Sequence, residues 1–410
     1  MIQLLYLILV ALAMGLALWR LLGIEEDDGL SSLFLYFGTG LAVFVLFSAV
    51  LGFLNLVNWM VYLAIALAML ALVHMKGRLS VSMPKIDRGW VIVLTLFALH
   101  LAVYLYGSFS YPWLEDDDPW VHASAVRYVS IYGTYIQPEH LPLHYLAPYP
   151  PFFDALLGVL FQVDGSSLQF TLKFFNALLV SLTIPLFYVW ARKKLDGTSA
   201  LWATGMLAAL PSFMSHFVWA QTLAMLLTFP AFYFIERYLN EKDGSKKSLG
   251  ILAVFLLASV MISQPSVAGI IFIMSCIYVF ASNLPKALEK KLDLGEVLRH
   301  GAVLIGALAL ALLLFWGPMF LLYGQEKVFG QMGLSSSFVT EKNDDTSGGV
   351  VYGMSDFLDA PSSSKMDQPI GLGLFISLLC LIGLAGSALK LKAGENTSLH
   401  LLLTLGSYSA

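Results

Sequence analysis

Charge is what this chain has least of. Lys, Arg, Asp and Glu make up 12% of its 410 residues, against roughly 25% in ordinary soluble domains, so an extended water-facing surface is excluded. A net charge of −4 leaves no basic face of the kind nucleic acid requires, and nucleic acid is set aside as a partner. Cysteine is nearly absent. Cys276 and Cys380 both lie inside apolar stretches, which rules out a disulfide framework or a cysteine metal cluster. No Gly-rich phosphate loop occurs, so a soluble nucleotide-sugar enzyme is set aside as well. The opening run MIQLLYLILVALAMGLALWRLLG lacks a basic start and a small-residue cleavage site. It reads as a retained helix rather than a signal peptide.

What is present is apolar: 58% of residues are hydrophobic. Segments long enough to cross about 30 Å of hydrocarbon recur along the chain. They run over 2–22, 31–52, 54–75, 89–107, 168–191, 198–214, 222–239, 249–263, 266–283, 301–323, 370–389 and 398 onward. The expected fold is all-α, a polytopic transmembrane bundle of about twelve helices. Lys and Arg gather in the connections 76–88, 192–197, 236–247, 283–300 and 390–396. These fall on one side only if YPPFFDALLGVLFQV (149–163) does not cross, and that stretch is short, starts at Pro150 and Pro151 and carries Asp154 early. It is expected to be re-entrant or interfacial. The opposite, extracytoplasmic side then collects 108–167, His216 to Gln221, Ser263 to Pro265 and the loop 324–367. The expected organisation is extra membrane helices over 1–88, a core over 89–323 with an outer loop at 108–167, a flap over 324–367, and further helices over 368–410. The chain stops in LHLLLTLGSYSA, inside an apolar run with neither cap nor basic flank, as a fragment of a longer protein would.

One stretch stands out against this background, LEDDDPWVHASAVRYV at 114–129. Asp118 before Pro119 predicts a helix start, and PWVHASAVRYVSIYG predicts a short interfacial helix with Trp120 and Tyr128 at headgroup depth. His122, one turn from Asp118, faces the same way. The plain reading is a cap on a solvated acidic loop. The alternative is chemical, because carboxylates beside an anionic headgroup surface are suited to hold Mg²⁺ or Mn²⁺, through Asp118 and Asp116, or to deprotonate an acceptor hydroxyl.

The order Asp-Pro-Trp, then the proline-started YPPFFDALLGVLFQV, then the membrane helix ending in ARKKLDG, then TSALWATGMLAALPSFMSHFVWAQTLAMLLTF, resembles the GT-C superfamily of integral membrane glycosyltransferases over about 114–239. Among these it is most similar to the catalytic subunit of oligosaccharyltransferase. The resemblance implies a GT-C type bundle in a prokaryotic cell membrane, acting on the extracytoplasmic face. The donor is a polyprenyl-(di)phosphate-linked sugar held among membrane lipids, and the acceptor is a glycan, lipid or protein. It departs from that subunit at SFMSHFVWAQTLA, which has His216 and Gln221 where acidic metal ligands belong, and in lacking the Trp-Trp-Asp-Tyr-Gly acceptor motif. Glu341 is a weak match to an outer-loop glutamate.

Such a transfer needs a base and positive charge for the leaving phosphate. Asp118 is the first choice for the base, followed by Asp117 and Asp116. Arg127, His216 and Lys173 are the candidates for phosphate oxygens, with His122, Gln221 and Asp154 lining the same hollow. Each has a plainer role: Arg127 and Lys173 could snorkel, His216 could be a satisfied interfacial histidine, and Asp154 could favour a helix dipole. His140 and His144 are spaced i, i+4, but Pro142 between them opposes a metal-binding helix. Other functional classes with this topology are a transporter, which should show paired broken helices in related halves, and a surface-polysaccharide polymerase.

Overall fold

The structure is a computed structural model, and it describes residues 1–25, 28–77, 86–138, 143–210, 213, 216–241, 246–288 and 293–331, with isolated residues between 373 and 385. Among them the regular structure is helical throughout, without a strand. α1 (Ile2–Leu22) and α2 (Gly29–Leu51) form a hairpin, and a single 3₁₀ turn leads to α3 (Trp59–Met75) and α4 (Arg88–Ser110). Next come α5 (Asp117–Tyr132) and α6 (Phe152–Val163), then α7 (Leu168–Ala191), α8 (Gly197–Ala208), α9 (Gln221–Asn240), α10 (Lys246–Ser263) and α11 (Pro265–Leu288). α12 (Leu294–Ala311) continues through a π-helical stretch, Leu312–Trp316, into α13 (Gly317–Tyr323), and α14 (Gln325–Gln331) opens the expected flap.

About twelve spans are expected from the sequence; among the described residues seven helices are long and apolar enough to cross a membrane. They are α1, α2 with its 3₁₀ extension, α4, α7, α10, α11 as far as Asn283, and α12 through α13. The shortfall has physical reasons. α3 has only 17 residues. α9 carries Glu236 and Arg237 in its last turns. The segment expected to be helical over 198–214 stops at Ala208, and α8, with 12 residues, rises about 18 Å. Pro211 accounts for this, since it has no amide and its ring would strike the carbonyl of residue 207. The segments 398–410 and most of 370–389 lie outside the described residues, as does the flap beyond Gln331.

α7 is the centre of the bundle, with 83% of its apolar window buried, followed by α2 at 72%; α4, at 22%, is peripheral. α6 is short, as the sequence implies, and ten of its twelve residues are buried among α1, α2, α5 and α7.

The helix ends sort into two sets. At one end, Arg192 after α7 reaches Asp28 before α2 at 3.1 Å, and the indole N–H of Trp90 on α4 donates to the same carboxylate at 3.3 Å. Lys194 meets Glu236 of α9 at 2.8 Å, Arg237 donates to the Glu25 carbonyl at 3.2 Å, and Tyr238 donates to the carbonyl of Arg299 on α12 at 3.0 Å. The described parts of the basic connections at 192–197, 236–247 and 283–300 therefore share one end with the start of α4. At the opposite end, Gln3 of α1 donates to the Asp164 carbonyl at 2.8 Å, the amide of Trp59 donates to Gln162 of α6 at 2.9 Å, and Tyr135 donates to the Ala49 carbonyl at 2.6 Å. α5, α6 and the start of α7 belong to this second end.

Candidate functional site

α5 begins two residues before the expected position. Its cap is Asp116, whose carboxylate accepts from the amide of Asp117 at 2.7 Å, so Asp118 is not the cap. Pro119 is the third helical residue, where a missing amide costs nothing. Asp117 is exposed in the first turn. Asp118, freed from capping, accepts a hydrogen bond from the Tyr145 hydroxyl at 2.7 Å. Burial, joined by the charge of Asp118, holds the Tyr145 phenol above its ordinary range, so it remains a donor. α5 ends at Gly133, whose φ of +66° suits glycine and lets its amide return to the Val129 carbonyl.

His122 does share the face of Asp118, but its hydrogen bond goes elsewhere. Its Nδ1 donates to the Asp154 carboxylate at 2.8 Å, and both side chains are at most 3% exposed. Burial pushes the Asp154 carboxyl up, against the pull of the imidazole. The His122 ring stacks on Tyr145 with centroids 4.0 Å apart and planes 9° apart, and Tyr145 in turn meets the Tyr149 ring at 5.0 Å. Tyr149 is hydrogen-bonded to Gln264 at the α10–α11 turn. A continuous set, Asp154, His122, Tyr145 and Asp118, thus runs from the buried α6 to the water-facing start of α5.

Beside Pro119 a small open cavity, with room for about one water molecule, is lined by Ser108, Glu115, Lys173 and His216 together with apolar residues. Glu115, read in the sequence as part of a solvated loop, meets His216 Nδ1 at 3.0 Å. The His216 ring lies against Gly107, where an added Cβ would come 2.7 Å from Cδ2. Lys173 does not snorkel to a headgroup. It is buried, and its ammonium donates to the carbonyls of Ser108 and Tyr111 at 2.7 and 2.6 Å, closing the end of α4. The described stretch 216–219, which carries His216, is non-helical. Polar groups of the bundle hold it and Phe213 before it: His100 contacts the Phe213 carbonyl, and Asn176 and Tyr104 donate to the Phe217 carbonyl. Backbone without helical bonding at membrane depth needs such partners.

The other expected residues stand apart. Arg127 is nine residues from Asp118, about half a turn out of phase, and its guanidinium lies 5.6 Å over the Phe161 ring. Gln221 opens α9 half-buried and does not line the cavity. Trp120 is exposed as expected, whereas Tyr128 is buried and donates to the Ile136 carbonyl. His144 is exposed; His140, like Glu341 and Cys380, lies outside the described residues. Among the described residues no three His, Cys, Asp or Glu side chains gather in a way that could hold a metal ion. Asp116 and Asp118 therefore have no third His, Cys, Asp or Glu ligand beside them there. Sequence reasoning missed Tyr145, Ser108 and the Glu115 pairing, all of which depend on contacts between distant segments.

Fold and site together define a helical integral membrane protein with a polar, chemically equipped hollow at one end. In comparisons with known proteins no family model matches the chain, and no curated protein matches it as a relative.

Proposed function

We propose that the protein is a membrane glycosyltransferase of GT-C type that moves a sugar from a polyprenyl-(di)phosphate donor to an acceptor on the extracytoplasmic face. The observation that carries this reading is the position of Asp118 on α5, one residue before Pro119, which lines a cavity together with Lys173 and His216 at the end opposite the basic connections. Lys and Arg resist translocation, which puts that end outside. Asp118 takes the proton of the acceptor hydroxyl as it attacks the sugar carbon, and the cations meet the leaving phosphate. The glycosidic electrons leave on the phosphate oxygen. An oligosaccharyl donor with a protein acceptor is a finer version of the same chemistry.

The test is transfer of labelled sugar from defined lipid-linked donors by the purified chain in vesicles, with Asp118→Asn as comparison. Loss of transfer in the variant supports the reading; normal transfer reduces Asp118 to a surface residue. A second reading, transport, is favoured by the non-helical residues 216–219 between α8 and α9, since transporter sites are built around interrupted helices. A solute that crosses the vesicle unmodified would select it.

A further inference from the structure

The cavity beside Pro119 is furnished with donors, and one acceptor already stands among them. Lys173 spends two of its three N–H groups on the carbonyls of Ser108 and Tyr111, which leaves one. Ser108, 1% exposed, has a hydroxyl with no hydrogen-bond partner among the described residues, and an unpaired buried hydroxyl is costly. His216 presents Nδ1 to Glu115 at 3.0 Å, with its ring seated on the bare Cα of Gly107. Glu115 interacts electrostatically with Lys173 as well as with His216, and its side chain is 26% exposed. It sits in the irregular stretch between α4 and α5, so no helical bond fixes its position.

We propose that this cavity is a binding site for a phosphate-type anion, and that the Glu115 carboxylate is its internal occupant, displaced when the ligand enters. Carboxylate and phosphate ask for the same things: an ammonium, an imidazole N–H and a hydroxyl, all of which donate. A cationic ligand would meet Lys173, and a neutral one would leave it uncompensated. Displacement frees Glu115 toward the water-facing aspartates of α5 and supplies the Ser108 hydroxyl with its missing acceptor. A phosphate borne by a lipid and a free phosphate share this chemistry. The choice of the lipid-borne form rests on the sugar-transfer reading; the anion site itself does not.

Calorimetric titration of the purified full chain in nanodiscs with inorganic diphosphate, wild type against Glu115→Gln, tests it. The variant keeps the shape and loses the competing charge, and a Kd tightened about tenfold is expected. Ser108→Ala should weaken binding several-fold and His216→Ala about tenfold or more; Lys173 is left intact because it closes α4. Unchanged or weaker binding in Glu115→Gln, or no binding to either protein, overturns the proposal. Competition by a polyprenyl phosphate in the nanodisc identifies a lipid-borne anion, and its failure to compete identifies a free one. Tightened binding in a protein that transfers no sugar leaves the site standing and removes the transferase. Transfer without any effect of Glu115→Gln does the reverse.

Discussion

Charges at the two ends of the bundle are used in opposite ways. At the basic end they are spent on each other: Arg20 on Glu25, Arg192 on Asp28, Lys194 on Glu236 and Arg299 on Asp293. Glu236 is further held by Asn240 and Tyr278, and the Lys194 ammonium also lies 5.3 Å from the Tyr278 ring centre. Those contacts staple α7, α9 and α11. At the other end, several polar groups are incompletely used. Asp118 receives one hydrogen bond, Ser108 none among the described residues, and Lys173 retains a proton. In a bundle whose helices gain little from the hydrophobic effect against lipid, polar contacts between helices are where stability is added, and their incompleteness is where a ligand can be received.

Substitutions can break that contrast. The largest expected effect is on Asp118→Asn: sugar transfer should fall about 10²- to 10⁴-fold, as for loss of a general base. Its melting temperature should stay that of the parent protein, because Asp116 caps α5. Lys194→Met should do the reverse. Leaving the buried Glu236 carboxylate without its cation should cost about 3 kcal/mol in chemical unfolding, while transfer per folded molecule stays unchanged. His122→Ala should move both measurements, since the buried Asp154 loses its donor, at about 1–3 kcal/mol, and Tyr145 loses the ring it stacks on. A variant that lowered only activity would show that Asp154 finds another partner.

The smallest effect is on pH dependence at the basic end. Burial alone would raise the Asp28 carboxyl, but hydrogen bonds from Ser31, Trp90 and the Leu30 amide hold it below its usual value. A carboxyl lowered by folding stabilises fully above its unfolded value near about 4 and loses that contribution as pH falls through the lower folded value. Thermal melts should therefore be level down to about pH 4 and decline below it, and Asp28→Asn should remove that part of the decline.

How much could be read beforehand follows from the range of each interaction. α1 and α7 end where apolar runs and their flanks put them, because length and periodicity are local properties. The start of α5 was legible to within two residues, and the common end of the described basic connections was legible as well. The end of α8 at Ala208 was not, since the mostly apolar stretch before Pro211 reads like the body of a longer helix. Within the site, spacing suggested that His122 and Asp118 share a face, and they do. It could not supply Asp154, 32 residues away, or Tyr145, 27 residues beyond Asp118. The His216 contact with Glu115 spans still more chain and depends on where α4, α7 and the 216–219 stretch meet. A four-residue helical repeat carries no information about such pairs.

The backbone that carries His216 also offers a way to watch this end of the molecule. Its carbonyls at Phe213 and Phe217 lean on side chains of α4 and α7 instead of on a helix of their own. Amide hydrogens from 216 to 220 should consequently trade with deuterium far sooner than those of α7 beside them. A slowing of that exchange on adding a candidate substrate would locate the bound molecule without any label on the protein.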